Sequence, residues 1–438
     1  MDRRTTTASV LCASLFLAAP ARAAAMPARD FDVRAYTATL SPDLKAGTLT
    51  GVESIDLSTA ADGTRQLKFD VGSLTVDAVA LRGKALAFEV ANKKLSISLP
   101  EPVAKGTRLK LEMRYHGAPR HGLEFHPEAE QLYTIFSTSE WLVTIDAPDE
   151  RAALDLGVVL PEGYLAVGNG AAVASKAAGP GQRVYRWRQR HPVPSFAYGF
   201  AAGRFNAVES KSNGIRSQFV SRTLSDEQAR RLFANTADML AFFGARSGVP
   251  YRGKYDQVLV TETIGQEAAG FALLSEAYAR ETLSGESSEE LIAHEAAHQW
   301  WGIGTTCRSW GEFWLNEGFA NFMAAAYMQH RHGDAPYLAS VARWKARLDK
   351  LKAEGKDHPL VYERWDKPTR DDRAVVYQKG AYVLHLLRQE LGEAAFWKGI
   401  REYSRRFAGS SVSTADFKDA MERASGRDLD GFFKLWIE

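Results

Sequence analysis

The stretch "LIAHEAAHQWWG", residues 291–302, sets His294 and His298 four positions apart with Glu295 between them. On a helix, residues i and i+4 share a face about 6 Å apart along the axis. Both imidazoles can then reach one ion, while Glu295 is turned beside them toward a water that the ion would activate. So short a pattern also arises on an ordinary amphipathic helix, and a third ligand decides between the readings. Glu317 lies 19 residues beyond His298, in "SWGEFWLNEGFANFMAAAY". Its neighbours Phe313, Trp314, Phe319 and Phe322 are apolar, so a lone carboxylate there is costly unless it meets a metal or an arginine. Three protein ligands and one open position are the makeup of a catalytic zinc site.

These residues need two helices side by side. The first is expected over residues 288–301, with Ser287 as cap, Glu290 completing a capping box and Gly302 ending it. The second begins near Trp310, after a turn through "GIGTTCRS", which brings Glu317 level with the histidines. Glu312 and Asn316 are candidates to orient the ligands. Cys307, in the connecting turn, stands too far from any ligand spacing to close the fourth position. The other histidines, among them His330, His332, His358 and His385, read as surface or helix-end residues, and the aromatic runs Phe242-Phe243 and Trp300-Trp301 as core.

Two patterns divide the chain. From Phe31 to about Phe205 the apolar period is two, as in "LSISL" and "LKLEMRY", punctuated by Gly, Asn, Asp and Pro. That predicts a large antiparallel β domain over 28–208. After Ser225 the period becomes helical. "SDEQARRLFANTADMLAFFGARSG" opens on a capping box of Ser225 and Gln228 and stops at Gly248, and one strand-like run, "DQVLVTE", interrupts the helices of a second domain over 209–438. No internal repeat or low-complexity segment stands out. Residues 1–23 read as a bacterial-type export signal. Arg3 and Arg4 are basic, Ala8 to Ala19 is apolar, and Ala21-Arg22-Ala23 is a cleavage site. The apolar run is too short for a membrane span, and Leu11 before Cys12 weakens a lipid-anchor reading. The expected location is periplasmic or secreted.

The 438 residues are 45% hydrophobic and 25% charged, within the globular range. Taking the signal's three arginines and one aspartate from totals of 55 basic and 53 acidic residues leaves 52 of each. A neutral mature chain offers no electrostatic footprint for nucleic acid or an anionic membrane. Cys12 leaves with the signal and Cys307 stands alone, so core packing rather than a disulfide must hold the fold.

His-Glu-x-x-His, eighteen residues, then the Glu of Asn-Glu-Gly-Phe-Ala resembles the aminopeptidase N family of gluzincin metallopeptidases, which includes leukotriene hydrolases. The resemblance runs from about Asp32 to the C-terminus, taking in "TIDAPDERAALDL" (Asp146, Pro148) and the closing "LDGFFKLWIE". It implies an α+β protein. A saddle-like antiparallel β-sandwich precedes a thermolysin-like, mostly helical catalytic domain, and no C-terminal helical domain follows. It also implies one catalytic Zn²⁺ on His294, His298 and Glu317, which lowers the pKa of a water to about 7. Glu295 then acts as general base, and Tyr377, in "VVYQKGAYVLHLL", as hydrogen-bond donor to the oxyanion. From its residue type alone, Tyr377 is a boundary core residue at the start of a helix.

The family fixes the substrate's free amine with a glutamate in a Gly-x-Met-Glu-Asn loop. "TIGQEAAG" is the corresponding segment, which puts Glu267 on the amine-binding position, with Gly265, Gln266 and Ala268 beside it. Glu262 is a competitor, and a solvated loop role for Glu267 is the plain alternative. A second amine-binding residue has no clear counterpart, with Thr134, Ser137 and Glu140 nearby instead. The resemblance therefore implies an exported zinc aminopeptidase acting on short peptides. The alternatives are a zinc endopeptidase or dipeptidase with the same metal site, and a catalytically silent binding scaffold. The oligomeric state and the preferred N-terminal residue are not legible.

Overall fold

A computed structural model describes residues 29–438 apart from 213, 263, 264, 364 and 366. The expected export signal, including Cys12, lies outside the described residues.

The period-two segments form three sheets. The largest has eight strands, in the order Ala171–Gly179, Gln182–Pro194, Arg151–Pro161, Phe31–Asp43, Thr48–Thr59, Arg108–Gly117, Thr75–Leu81 and Lys84–Ala85. Alternation sets its faces: Leu109, Leu111, Met113 and Tyr115 are buried while the residues between them are exposed. A three-stranded sheet carries Leu95 and Ile97 into the same core, and a four-stranded sheet completes it. The expectation of an antiparallel domain needs one correction. Phe31–Asp43 and Arg151–Pro161 run parallel, with Ala35 opposite Ala153. More than a hundred residues lie between these strands, room for the long crossover that a parallel pair requires.

The second half holds a five-stranded mixed sheet, in the order Asn206–Ser212, Ile215–Ser221, Asp256–Val260, Phe271–Ser275 and Gly265–Ala268. Only one of these strands was expected. The boundary expected at 208/209 falls inside Asn206–Ser212, which pairs along its length with Ile215–Ser221. Ser225 caps its helix with the reciprocal bond to Gln228, but the helix breaks after Leu232 and resumes as Thr236–Ser247, ending at Gly248 in the left-handed region (φ 69°). Long helices follow at Trp314–His332, Asp334–Ala353 and Gly380–Arg406, the last kinked at Gly392. His385 is buried, its ring 2.9 Å from the Tyr337 hydroxyl, which corrects its reading as a surface residue. No described helix is long and apolar enough to cross a membrane.

Side chains from the first half reach the second. The guanidinium of Arg151 donates to Thr306 Oγ1 (2.9 Å) and to the carbonyl of Ile303 (2.8 Å). Phe136, in the left-handed region at φ 42°, stacks among Phe196, Trp310 and Phe313. A phenylalanine at positive φ is strained, and such strain is held by surrounding packing.

Candidate active site

The helix bearing the histidines is shorter than expected, Glu290–Ala297, with Glu289 at its N-cap and no capping side chain. Ser287 is not the cap, because Glu290 points away to Ser340 and Arg343 and forms no capping box. His298 closes the helix, and the chain then tightens into turns through Trp300 and Trp301. That turn places the Trp301 carbonyl 3.0 Å from His298 Nδ1. The carbonyl can only accept, so the proton sits on Nδ1 and the Nε2 lone pair faces inward. The expected orienting residues do other work. Asn316 accepts from the Cys307 amide and Glu312 from the Thr414 amide.

His294 Nε2 and His298 Nε2 lie 3.1 Å apart, and Glu317 Oε2 is 3.4 Å and 3.5 Å from them. A tetrahedral zinc with ligand bonds near 2.1 Å has ligand–ligand edges of about 3.4 Å. The triangle is thus of the size that one zinc ion fits. Glu267, Glu295 and His298 form a second cluster sharing the same imidazole. All these side chains are buried, and Glu267 Oε1, Glu295 Oε2 and Glu317 Oε2 find no hydrogen-bond partner among the described residues. Three buried carboxylates with orphaned oxygens are costly without a cation, so the donor set fits Zn²⁺ on chemistry as well as on size.

The charges answer one another. Burial works to raise Glu317, yet His298 and the close approach of both imidazoles outweigh it and hold the carboxyl down at about 2. Burial pushes Glu295 well above the usual carboxylate range and Glu267 up to about 7, against the pull of His298 in both. Burial, then the charge of Glu317, keeps the Tyr377 hydroxyl protonated and so a donor.

Tyr377 sits in a π-helical turn, Val375–Lys379, rather than at the start of a regular helix. Its ring stacks on His294, with centroids 6.1 Å apart and planes within 11°. The helix carrying Glu317 comes close enough because Gly318 meets Gly380. A methyl group on Gly318 would lie 2.9 Å from the Gly380 backbone. Asn321, one turn past Glu317, donates to the Tyr377 carbonyl (3.0 Å) and fixes the turn.

These groups open onto a cleft of about 1210 Å³. Gly265, Gln266 and Glu267 line it from the edge strand. Glu267 Oε2 accepts from Gln266 Nε2 at 2.6 Å. Ala268 does not line the cleft: strand alternation turns its side chain into the core behind, and only its carbonyl is used, accepting from Gln299. Glu262 is exposed and does not line the cleft either. Of Thr134, Ser137 and Glu140, only Ser137 borders it. Thr134 is bonded to the Phe200 backbone, and Glu140 is held by Ser73 and Lys93. Phe136, Trp310, Trp344 and Trp365 also form walls. They stand far apart in sequence, and no local pattern announces them.

Two family models match the chain. One is the peptidase M1 N-terminal domain, over residues 33–197, and the other the peptidase family M1 domain, over residues 233–436. The chain belongs to peptidase family M1. It is similar to aminopeptidase N of Streptomyces lividans, at 26% identity across 90% of this chain and 48% of that protein. It is also similar to leucine aminopeptidase 2 of Neurospora crassa, at 26% across 88% of this chain and 61% of that protein. It thus spans about half the length of the curated relatives that it matches. Among solved structures, the M1 zinc metallopeptidase of Deinococcus radiodurans superposes with a TM-score of 0.78 at 23% identity, covering 94% of both chains. A mutant of that enzyme bound to a Tyr-Ser-Ala substrate gives 0.79 at 24%, covering 93% of this chain and 94% of that one. The shared architecture is the two-domain M1 fold, a β-rich N-terminal domain followed by a helical catalytic domain.

Proposed function

We propose that this M1 chain is an exported zinc aminopeptidase that removes N-terminal residues from short peptides, with one ion on His294, His298 and Glu317. Zinc, when bound, supplies Lewis acidity toward a water and toward the scissile carbonyl. Glu295, beside the triangle with a raised pKa and a free oxygen, takes a proton from the attacking water and passes it to the leaving amine. The Tyr377 hydroxyl donates to the carbonyl oxygen as negative charge gathers there. Glu267 pairs with the substrate's α-ammonium group, and Gln266 holds the other oxygen of that carboxylate in place. Its fixed distance from the metal triangle sets the cut after the first residue. The curated relatives carry the names aminopeptidase N and leucine aminopeptidase 2, which agrees with this reading.

One observation carries the choice of an aminopeptidase. Glu267 is buried in the same cluster as Glu295 and His298, with Oε1 unpartnered among the described residues. An endopeptidase has no use for an anion at that place. An aminoacyl anilide and its N-acetyl form test it. The free amine should be cleaved at least a hundredfold faster, since acetylation leaves the carboxylate unpaired. Comparable rates would make the protein an endopeptidase. A folded, zinc-loaded protein that cleaves neither would be a scaffold.

A further inference from the structure

We infer that the cleft is electrically polarised along its length and takes peptides with a free C-terminal carboxylate, which Arg373 receives. The inference rests on the aminopeptidase reading and extends it to the other end of the substrate.

The acidic end is the cluster of Glu267, Glu295 and His298. Tyr377 flanks the triangle, stacked on His294. Arg373 stands four residues before Tyr377 in one continuous helical run, Arg370–Ala374 followed by Val375–Lys379, about 6 Å back along the axis. It lines the same cleft. Two other arginines on that wall are already engaged. Arg343 pairs with Glu290 (2.8 Å) and Arg347 with Asp371 (2.7 Å). Arg373 is exposed and has no ion-pair partner among the described residues.

Neighbouring carboxylates do not cancel it. Asp371 is already engaged by Arg347 and by Lys356, which also pairs with Glu354. Asp372 is turned back onto Thr369 as the partner in its capping box and also pairs with His358. Arg373 is therefore the unpaired charge at this end among the described residues, while carboxylates crowd the other.

An extended peptide advances about 3.3 Å per residue. With the scissile carbonyl at Tyr377, the two residues of a tripeptide beyond the cut span about 7 Å, within reach of a guanidinium one helical turn away. The planar fork of arginine suits a terminal carboxylate. A zwitterionic di- or tripeptide would lie along the field, and a peptide amide would lose one anchor.

The test uses full-length Glu295→Gln protein, which should bind without cleaving, and calorimetry with Leu-Gly-Gly, its C-terminal amide and its N-acetyl form. We expect the free acid to bind roughly fivefold more tightly than the amide, the scale of a solvent-exposed ion pair. In Arg373→Ala that ratio should fall to near one, and in Arg373→Lys it should be partly kept, whatever the absolute affinities. Equal binding of acid and amide overturns the inference. So does an acid preference that survives Arg373→Ala, because the carboxylate is then read elsewhere. The N-acetyl arm keeps the two readings apart: a loss on acetylation with none on amidation leaves the aminopeptidase standing and removes only the role of Arg373.

Discussion

A methyl group on Gly265 would stand 2.3 Å from Oε1 of Glu295 and 3.0 Å from Leu291 Cδ1. The edge strand and the helix of the histidines can pass at this distance only because residue 265 has no side chain. Gly265, expected as part of the substrate site, thus also sets where the carboxylate of Glu295 rests.

Gly265→Ala should push that carboxylate aside while leaving the three metal ligands in place. A displacement near 1 Å costs about a hundredfold in rate. We expect kcat to fall by that order with zinc content unchanged by elemental analysis. Wild-type turnover in the variant would mean that Glu295 is not the group whose position matters.

Glu295→Gln keeps the shape and removes the base. Peptidase activity should drop by about three orders of magnitude, with zinc still bound at one equivalent. Substantial turnover by folded, zinc-loaded protein would remove Glu295 from the mechanism.

Tyr377→Phe deletes one hydroxyl and leaves the stacking on His294. Loss of a single oxyanion donor costs ~3 kcal/mol of barrier, about a hundredfold in kcat. KM for an aminoacyl anilide should change much less. A rise in KM alone would make Tyr377 a binding residue.

Chelation should act on stability as well as on rate. It leaves three buried carboxylates facing one another, so the melting temperature should fall and recover on adding zinc. Free zinc at ~100-fold above its Kd stabilises by about 2.7 kcal/mol. A melting curve indifferent to chelator and zinc would contradict the metal assignment.

A separate pH effect is expected in the β half. Burial raises the Glu150 carboxyl to about 7, although Arg29 at 3.0 Å opposes it. Its folded pKa exceeds the unfolded value near 4.5, so its contribution to stability is complete below about 4.5 and is lost as pH rises through about 7. Glu150→Gln, which can still accept from the Val33 amide, escapes that loss. Urea unfolding should show the variant gaining on wild type by up to about 3 kcal/mol between pH 4.5 and pH 8. A flat or inverted difference would refute the assignment.

The metal triangle was legible because helical spacing converts sequence distance into a shared face, and His294, His298 and Glu317 do come together. The β half was legible through alternation, down to Leu109, Leu111, Met113 and Tyr115. The sheet of the second half was legible only in "DQVLVTE", because a strand such as "FALLS" is buried on both faces and shows no alternation. The partner that orients His298 was also hidden, since the Trp301 carbonyl is a backbone group that any residue could supply. Ala268 was misplaced for a third reason. Near a site, strand alternation decides which neighbours face the cleft, and the edge strand's limits were not visible in "TIGQEAAG".

The short parallel pair between Thr305–Cys307 and Ser410–Val412 joins the loop separating the two ligand-bearing helices to a segment about a hundred residues later. Glu312 adds a second tie, to the Thr414 amide. During synthesis from the N-terminus, all three ligands emerge well before the strand that steadies the connection between them. The connection between the two ligand-bearing helices is thereby completed only when nearly the whole catalytic unit has left the ribosome.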